Sequence, residues 1–259
     1  MKRNIYKLIS LPFVLCILSG CEKALPVYDY SRNSLNFDVE LDDETNEAVE
    51  KNYSFIYSGE DIHKDTLWFK VNTQGFLTDN NRSFELQQIN SGETISDAIP
   101  GIHYIAFDNA ELQSKYYYIP ANTNTQKFPV IVIRDASLKN EDVALYFQLK
   151  PNDNFDQGII AYRTVKLIIS DNYKKPAGWS EYYFGTYGPV KHKFMIDETG
   201  LRWDDEFCSS LNDFGYIQYL TMTLYQRLKV VNAERKKQGL EVLKETDGRE
   251  VKFDFGGSF

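Results

Sequence analysis

Histidine, cysteine and long apolar runs are all scarce in this chain, and positive charge is outnumbered by negative. Its 259 residues hold three histidines, three cysteines and 29 Lys+Arg against 37 Asp+Glu. His63, His103 and His192 stand apart, without the H-E-x-x-H or H-x-H spacing that turns two imidazoles toward one metal, and Cys208 has no cysteine neighbour. The deficit of positive charge argues against nucleic acid and anionic lipid surfaces as partners. There is no P-loop and no dinucleotide fingerprint. Gly178-Trp179-Ser180-Glu181-Tyr182 starts like a nucleophile elbow but lacks the second glycine. Asp153 to Gly158 starts like an EF-hand loop, yet Phe155 stands where the third ligand belongs. The longest apolar run, Leu8 to Leu18, is eleven residues, well short of the roughly 20 that span a bilayer.

That short run is informative in its own right. It follows a basic head of Lys2, Arg3 and Lys7 and ends Leu18-Ser19-Gly20-Cys21. Basic head, short core and small residues before a cysteine resemble a bacterial lipoprotein signal. Residues 1–20 are then a signal peptide, and Cys21 becomes an acylated mature N-terminus seated in the lipid bilayer. Glu22 follows in place of the aspartate that commonly retains such proteins at the inner membrane, so the expected location is the outer membrane, on either face. Residues 21–33 contain Pro26 and no apolar period, which reads as a lipid-anchored tether.

The mature chain keeps 239 residues and a net charge of −11, with Cys208 as its one unacylated cysteine. No intrachain disulfide can then help the fold, so the core must suffice. It has the material: 17 Phe, 18 Tyr and 3 Trp. Alternating apolar and polar residues predict strands at 34–41, 52–58, 65–73, 82–89, 116–120, 127–135, 142–150 and 159–170, with no helix between them. Strands so closely spaced predict an antiparallel β-sandwich over 34–171. From 172 to 259 the period changes. A helix is expected over 190–198, ended by Gly200. A second starts at Asn212 or Asp213 and runs to about Gln238, with Ile217, Leu220, Leu224, Leu228 and Val231 on one face. Asp247-Gly248 predicts a terminal hairpin. The expected fold class is mainly β with a C-terminal α+β, helix-rich module.

Two resemblances add to this. Ala98-Ile99-Pro100-Gly101-Ile102-His103-Tyr104, Ile119-Pro120-Ala121, Val130 to Ile133 and Leu145 to Leu149 resemble a Calx-beta repeat, which implies an immunoglobulin-like sandwich. Arg134, Lys139 and His103 stand where the repeats carry acidic calcium ligands, so the resemblance extends to the fold and not to the metal. The mature chain as a whole resembles a Bacteroidetes lipoprotein family known as domain of unknown function 4843. The resemblance rests on Gly101 to Tyr104, Lys175 to Trp179, Gly185-x-Tyr187-Gly188-Pro189-x-Lys191 and the late helix. It implies a genomic neighbourhood with an outer-membrane nutrient receptor and its partner lipoprotein.

Chemistry is harder to read. Asp42-Asp43, Glu141-Asp142 and Asp204-Asp205-Glu206 are carboxylate runs of the kind that stays solvated. Cys208 lacks a basic neighbour and reads as a small buried hydrophobe. Aromatic and polar groups coincide at Trp179 with Tyr182 and Tyr183, and at Trp203 with Asp204 and Asp205. These are the expected ligand surface, unless Trp179 plugs the junction between the modules; Trp68 is expected in the core. The expectation is a non-enzymatic lipoprotein without cofactor or metal that binds glycan or peptide for nutrient uptake. The alternatives are a structural partner of a receptor complex and, behind it, a hydrolase.

Overall fold

The short alternating runs, punctuated by Gly, Asn and Asp, become short strands in the computed structural model, which describes residues 33–253. In chain order they are β1 (Ser34–Phe37), β2 (Lys51–Ser54), β3 (Lys64–Gln74), β4 (Arg82–Ser83), β5 (Glu85–Ile89) and β6 (Ser96–Asp97). Helix α1 (Ala110–Tyr116) precedes β7 (Tyr118–Ile119), β8 (Thr125–Ile133), β9 (Val143–Lys150), β10 (Asp156–Gln157) and β11 (Thr164–Ser170). Four helices close the chain: α2 (Glu181–Phe184), α3 (Pro189–Thr199), α4 (Asp205–Ser210) and α5 (Phe214–Lys237). The signal peptide, Cys21 and nearly all of the tether lie outside the described residues.

Two main sheets are ordered β10-β1-β3-β8 and β2-β11-β9-β5 with β6 also on β9, and β4 pairs with β7 in a third sheet of two strands. The two main sheets share one core. Leu35, Phe37, Phe69, Val71, Phe128 and Val130 of the first meet Leu86, Leu145, Phe147, Val165 and Leu167 of the second. Phe37 and Phe69 both set their rings edge-on to Phe147, at 5.6 and 5.5 Å. The fold is therefore mostly β, with several sheets and a few helices.

The differences from the sequence expectation are local. Not every pairing is antiparallel: β1–β10, β2–β11 and β6–β9 run parallel, because these short edge strands are reached by long connections rather than hairpins. The expected strands at 34–41 and 52–58 stop at Phe37 and Ser54, and Phe55–Tyr57 turns into a 3-10 helix capped by Ser54. A helix does intervene: Asn109 caps α1 by accepting from the N–H groups of Glu111 and Leu112, leaving only Tyr118–Ile119 of the expected 116–120 strand. Trp68 is 55% exposed and not in the core. It pairs with Pro129 on the outer face of β3, opposite in sense to the buried Phe69 and Val71, and its ring meets Tyr116 at 5.7 Å.

The helices have a core of their own, with Trp179, Phe184, Phe194, Met195 and Trp203 packed on Ile217, Leu220, Leu224 and Leu228 of α5. Asp213 caps α5 through the N–H of Tyr216, and Gly200, at φ +68°, ends α3 by donating to Ile196 O. Asp247-Gly248 forms the expected turn, with Glu245 N–H donating to Arg249 O and a bridge between Lys244 and Glu250. No helix among the described residues is long and apolar enough to cross a membrane.

Candidate functional site

The segment after β11 explains how the helices meet the sandwich. Ala177 N–H donates to Asp205 Oδ1 at 2.6 Å, and a side chain at Gly178 would strike the backbone of Cys208 and Ser209, so only glycine lets this loop lie on α4. Trp179 follows, 7% exposed, its Nε1 donating to Gly185 O at 3.0 Å. Gly188 leaves room for the buried carboxylate of Glu245, which accepts the first two N–H groups of α3, from Val190 and Lys191, each at 2.9 Å. An anion there satisfies orphan donors at the positive end of the helix. Lys191, 2% exposed, reaches back to Phe184 O and Thr186 O, both at 2.9 Å. Glycine, proline and lysine in Gly185 to Lys191 thus each serve one junction of backbone.

His192 sits at the seam of the two layers. It is 1% exposed and ringed by Tyr57, Tyr173, Trp179 and Tyr187. Nε2 donates to Trp203 O at 3.0 Å and Nδ1 accepts from Tyr187 Oη at 3.3 Å, so the neutral ring is fully used. Burial pushes its pKa down to about 4. Trp203 itself is 0% exposed, at φ +50°, a conformation costly for a bulky residue. Its Nε1 donates to Thr199 Oγ1 at 2.8 Å. Held at both ends, this turn projects Arg202 and Asp204 outward.

What they face is a cleft of about 950 Å³ between sandwich and helices. One wall comes from β2 and its 3-10 turn, with Tyr53, Ser54 and Tyr57, and from Asp142 and Asn172; the other comes from Lys174, Arg202, Asp204, Asp205 and Glu206. Arg202 lies over the Tyr57 ring, 4.5 Å from its centroid, while its Nε donates to Asp204 Oδ2 at 2.8 Å. Asn172 donates to Asp142 Oδ1 at 2.9 Å, and Lys174 pairs with the same carboxylate. Burial pushes the Tyr57 hydroxyl pKa up, and Asp204 adds to the shift. The cleft offers donors and acceptors of both signs around a half-buried tyrosine.

The residues expected at a ligand surface are divided by the structure. Asp204 lines the cleft. Trp179 and Trp203 are buried, so neither indole face is open to a ligand; Trp179 packs on Phe184, Tyr187 and His192 beside the seam. Tyr182 is 63% exposed and stands edge-on to half-buried Tyr183 at 4.9 Å, with Phe214 6.2 Å beyond. Elsewhere on α5, Tyr219, Met222, Gln226 and Val230 line an open groove of about 800 Å³. Sequence reading missed this groove because it took only the buried stripe of α5 as significant.

Two further constellations have structural duties. Arg134 Nε and Nη2 donate to both oxygens of Asp171 at 2.8 and 2.7 Å, and Nη1 donates to Gly59 O and Ile62 O. A guanidinium thus gathers the oxygens at the position where a calcium ligand stands in the resembling repeats. His103 Nδ1 accepts from Ile99 N–H, which leaves the proton on Nε2 to donate to Ser137 Oγ, so this ring cannot take the serine's proton. Ser137 in turn donates to Asp135 Oδ1 at 2.7 Å. Cys208 is buried, which pushes its thiol pKa up to about 12. No group of three metal-capable side chains occurs among the described residues.

Among solved structures, the chain is similar to a candidate carbohydrate binding protein from Bacteroides ovatus at 9% identity and TM-score 0.35, covering 55% of this chain and 38% of that one. It is also similar to a two-domain protein of unknown function from Bacteroides fragilis, at 10% identity and TM-score 0.36, covering 56% and 47%. A third, a protein of unknown function from Bacteroides ovatus, gives 12% identity and TM-score 0.33, covering 55% and 47%. The chain thus spans less than half the length of each. No curated protein matches. The family model described as "Domain of unknown function (DUF4843)" matches residues 30–201, which takes in the sandwich wall of the cleft and Lys174 but ends before Arg202, Asp204, Asp205 and Glu206, and the chain belongs to that family.

Proposed function

We propose that this protein is a non-enzymatic lipoprotein, held at the outer membrane by acylated Cys21, that binds glycan in the cleft between an immunoglobulin-like sandwich and its helical module. The observation that carries this reading is the cleft itself. Its volume suits a short oligosaccharide, and its lining alternates carboxylates, amides, hydroxyls and cations around Tyr57. Sugar hydroxyls both donate and accept, so such a mixed lining matches them better than it matches an apolar ligand. The carboxylates serve binding and architecture rather than acid catalysis: Asp204 Oδ1 caps α4 through Phe207 N–H, and Asp205 holds Ala177. The test is titration of the soluble Cys21→Ser form with an oligosaccharide panel, repeated with Arg202→Ala and Glu206→Gln. Loss of binding in both supports the cleft.

A second reading is favoured by the outer face of α5. Tyr219, Met222 and Val230 are 64%, 42% and 59% exposed along one groove, a contiguous apolar strip of the kind that partner proteins cover. On this reading the protein is a structural partner of an outer-membrane receptor and its lipoprotein. Affinity capture from native membranes distinguishes the two: a stoichiometric receptor, lost on Met222→Asp, supports partner binding.

A further inference from the structure

The register of the strands gives the sandwich two distinct poles. At one pole the chain enters β1: Ser34 pairs with Gln74 at the end of β3 and with Asp156 at the start of β10. At the other pole β11 ends at Ser170 and leads to the helices. The eleven residues of β3 separate the poles by about 35 Å. At the entry pole stand the two most exposed large apolar side chains among the described residues, Ile160 at 79% and Phe76 at 67%, with Leu77 at 58% and Ile159 at 48%.

These side chains are held out by a fixed backbone. Phe76 N–H donates to Asn33 Oδ1 at 2.7 Å, beside the entry of the chain, and Asn122 N–H donates to Thr78 O at 2.7 Å. Arg82, 4% exposed beneath the loop, donates to Phe76 O and Thr123 O. On the other flank of β1, Ile159 N–H donates to Asn36 Oδ1 at 2.7 Å and Arg163 Nε donates to Gly158 O at 2.6 Å. Around the four apolar tips the surface is rich in amides, including Asn80, Asn81, Asn122 and Asn154, with Asp79 and Asp153 among them.

We infer that this entry pole is a lipid-contacting surface, which rests on the reading that Cys21 is acylated. Asn33 lies twelve residues after Cys21, so the pole stays within about 40 Å of the acyl chains whatever the path between them. The tips Phe76, Leu77, Ile159 and Ile160 enter the headgroup boundary, to a depth of about 5–10 Å. The amide-rich, slightly acidic rim suits zwitterionic headgroups and disfavours anionic ones. The sandwich then stands on the membrane and carries the cleft at its far pole, away from the bilayer.

The test uses the acylated protein reconstituted in phosphatidylethanolamine–phosphatidylcholine vesicles containing chain-brominated phosphatidylcholine. Tryptophan is introduced singly as Phe76→Trp, Ile160→Trp and, as the far-pole control, Ile102→Trp, all exposed sites that tolerate a ring. Bromine is expected to quench more than about half of the added emission at positions 76 and 160 and little at 102, at the depth of boundary insertion. Co-flotation with the vesicles, lost in Cys21→Ser, is measured on the same samples. Flotation with equal quenching at all three positions, or with none, overturns the lipid-contacting pole and leaves the anchor standing. Failure of the acylated protein to float overturns the anchor and the pole with it.

Discussion

The imidazole Nε2 of His192 lies 3.0 Å from the carbonyl oxygen of Trp203. This bond ties α3 to a turn that is conformationally strained at Trp203, and that turn presents Arg202 and Asp204 to the cleft. A buried histidine therefore helps to shape a site it does not line.

Acid should loosen that turn. The His192 pKa is depressed from its ordinary 6.5 to about 4 by burial, so the folded state binds its proton less readily than the unfolded state does. The stability it contributes is present above pH 6.5 and is lost as pH falls from about 6.5 to 4, by about 3 kcal/mol in all. Burial lowers the pKa of His103 as well, which adds in the same direction. Urea unfolding between pH 7 and 4 should show the fall, and His192→Gln, which can still donate to Trp203 O, should show a shallower one. An equal slope in both proteins would remove His192 from the explanation.

Arg134 and Asp171 form a buried pair, with side chains 14% and 2% exposed. Arg134→Ala should cost about 3–5 kcal/mol, because Asp171 is left buried and unpaired. Arg134→Met together with Asp171→Leu should recover most of that loss, since replacing both charges by apolar groups is often close to neutral. With a guanidinium in place, added calcium should leave the melting temperature of the wild-type protein unchanged.

Glu245 caps α3 from 54 residues away, through Lys191 N–H. Glu245→Ala should destabilise the protein by about 1–3 kcal/mol through the loss of two charge-assisted bonds. Amide exchange at Val190 and Lys191 should rise more than at α5. Gly188→Ala should have a similar effect, because its methyl would occupy the place of the Glu245 carboxyl.

Trp203 and Trp68 should differ sharply in cost. Trp203→Ala empties a fully buried site and should cost about 3–5 kcal/mol, whereas Trp68→Ala, on an exposed sheet face, should cost less than about 1.5 kcal/mol. Thermal melts of the two variants compare them directly.

These contrasts show what the sequence made legible. Period-two alternation placed β3 and β8 within a residue or two, since one face of each carries the core residues, and β9 as closely although both of its faces are buried; glycine and aspartate signals placed the ends of α3 and α5. Alternation cannot say which face is inward when both carry aromatics: Trp68 sits between Leu67 and Phe69, and only the partner strands decide. Of the residues expected at a ligand surface, Asp204 lines the cleft, whereas Trp179 and Trp203 are buried. An aromatic beside acids looks the same in sequence whether its ring is a platform or a plug. What inverts the reading is the positive φ at Trp203, which turns the ring inward and its polar neighbours outward. The cleft's other wall comes from residues more than a hundred positions earlier, Tyr53 and Tyr57, and no local pattern joins them to Arg202.

The most direct test is calorimetric titration of the Cys21→Ser protein with oligosaccharides, in parallel with Arg202→Ala and Tyr219→Ala. Glycan binding in the cleft predicts that at least one oligosaccharide binds. It also predicts that Arg202→Ala weakens the affinity about tenfold or more, the worth of a charge-assisted hydrogen bond, and that Tyr219→Ala leaves it unchanged. Affinity retained in Arg202→Ala but lost in Tyr219→Ala, or no binding across the panel, would contradict it.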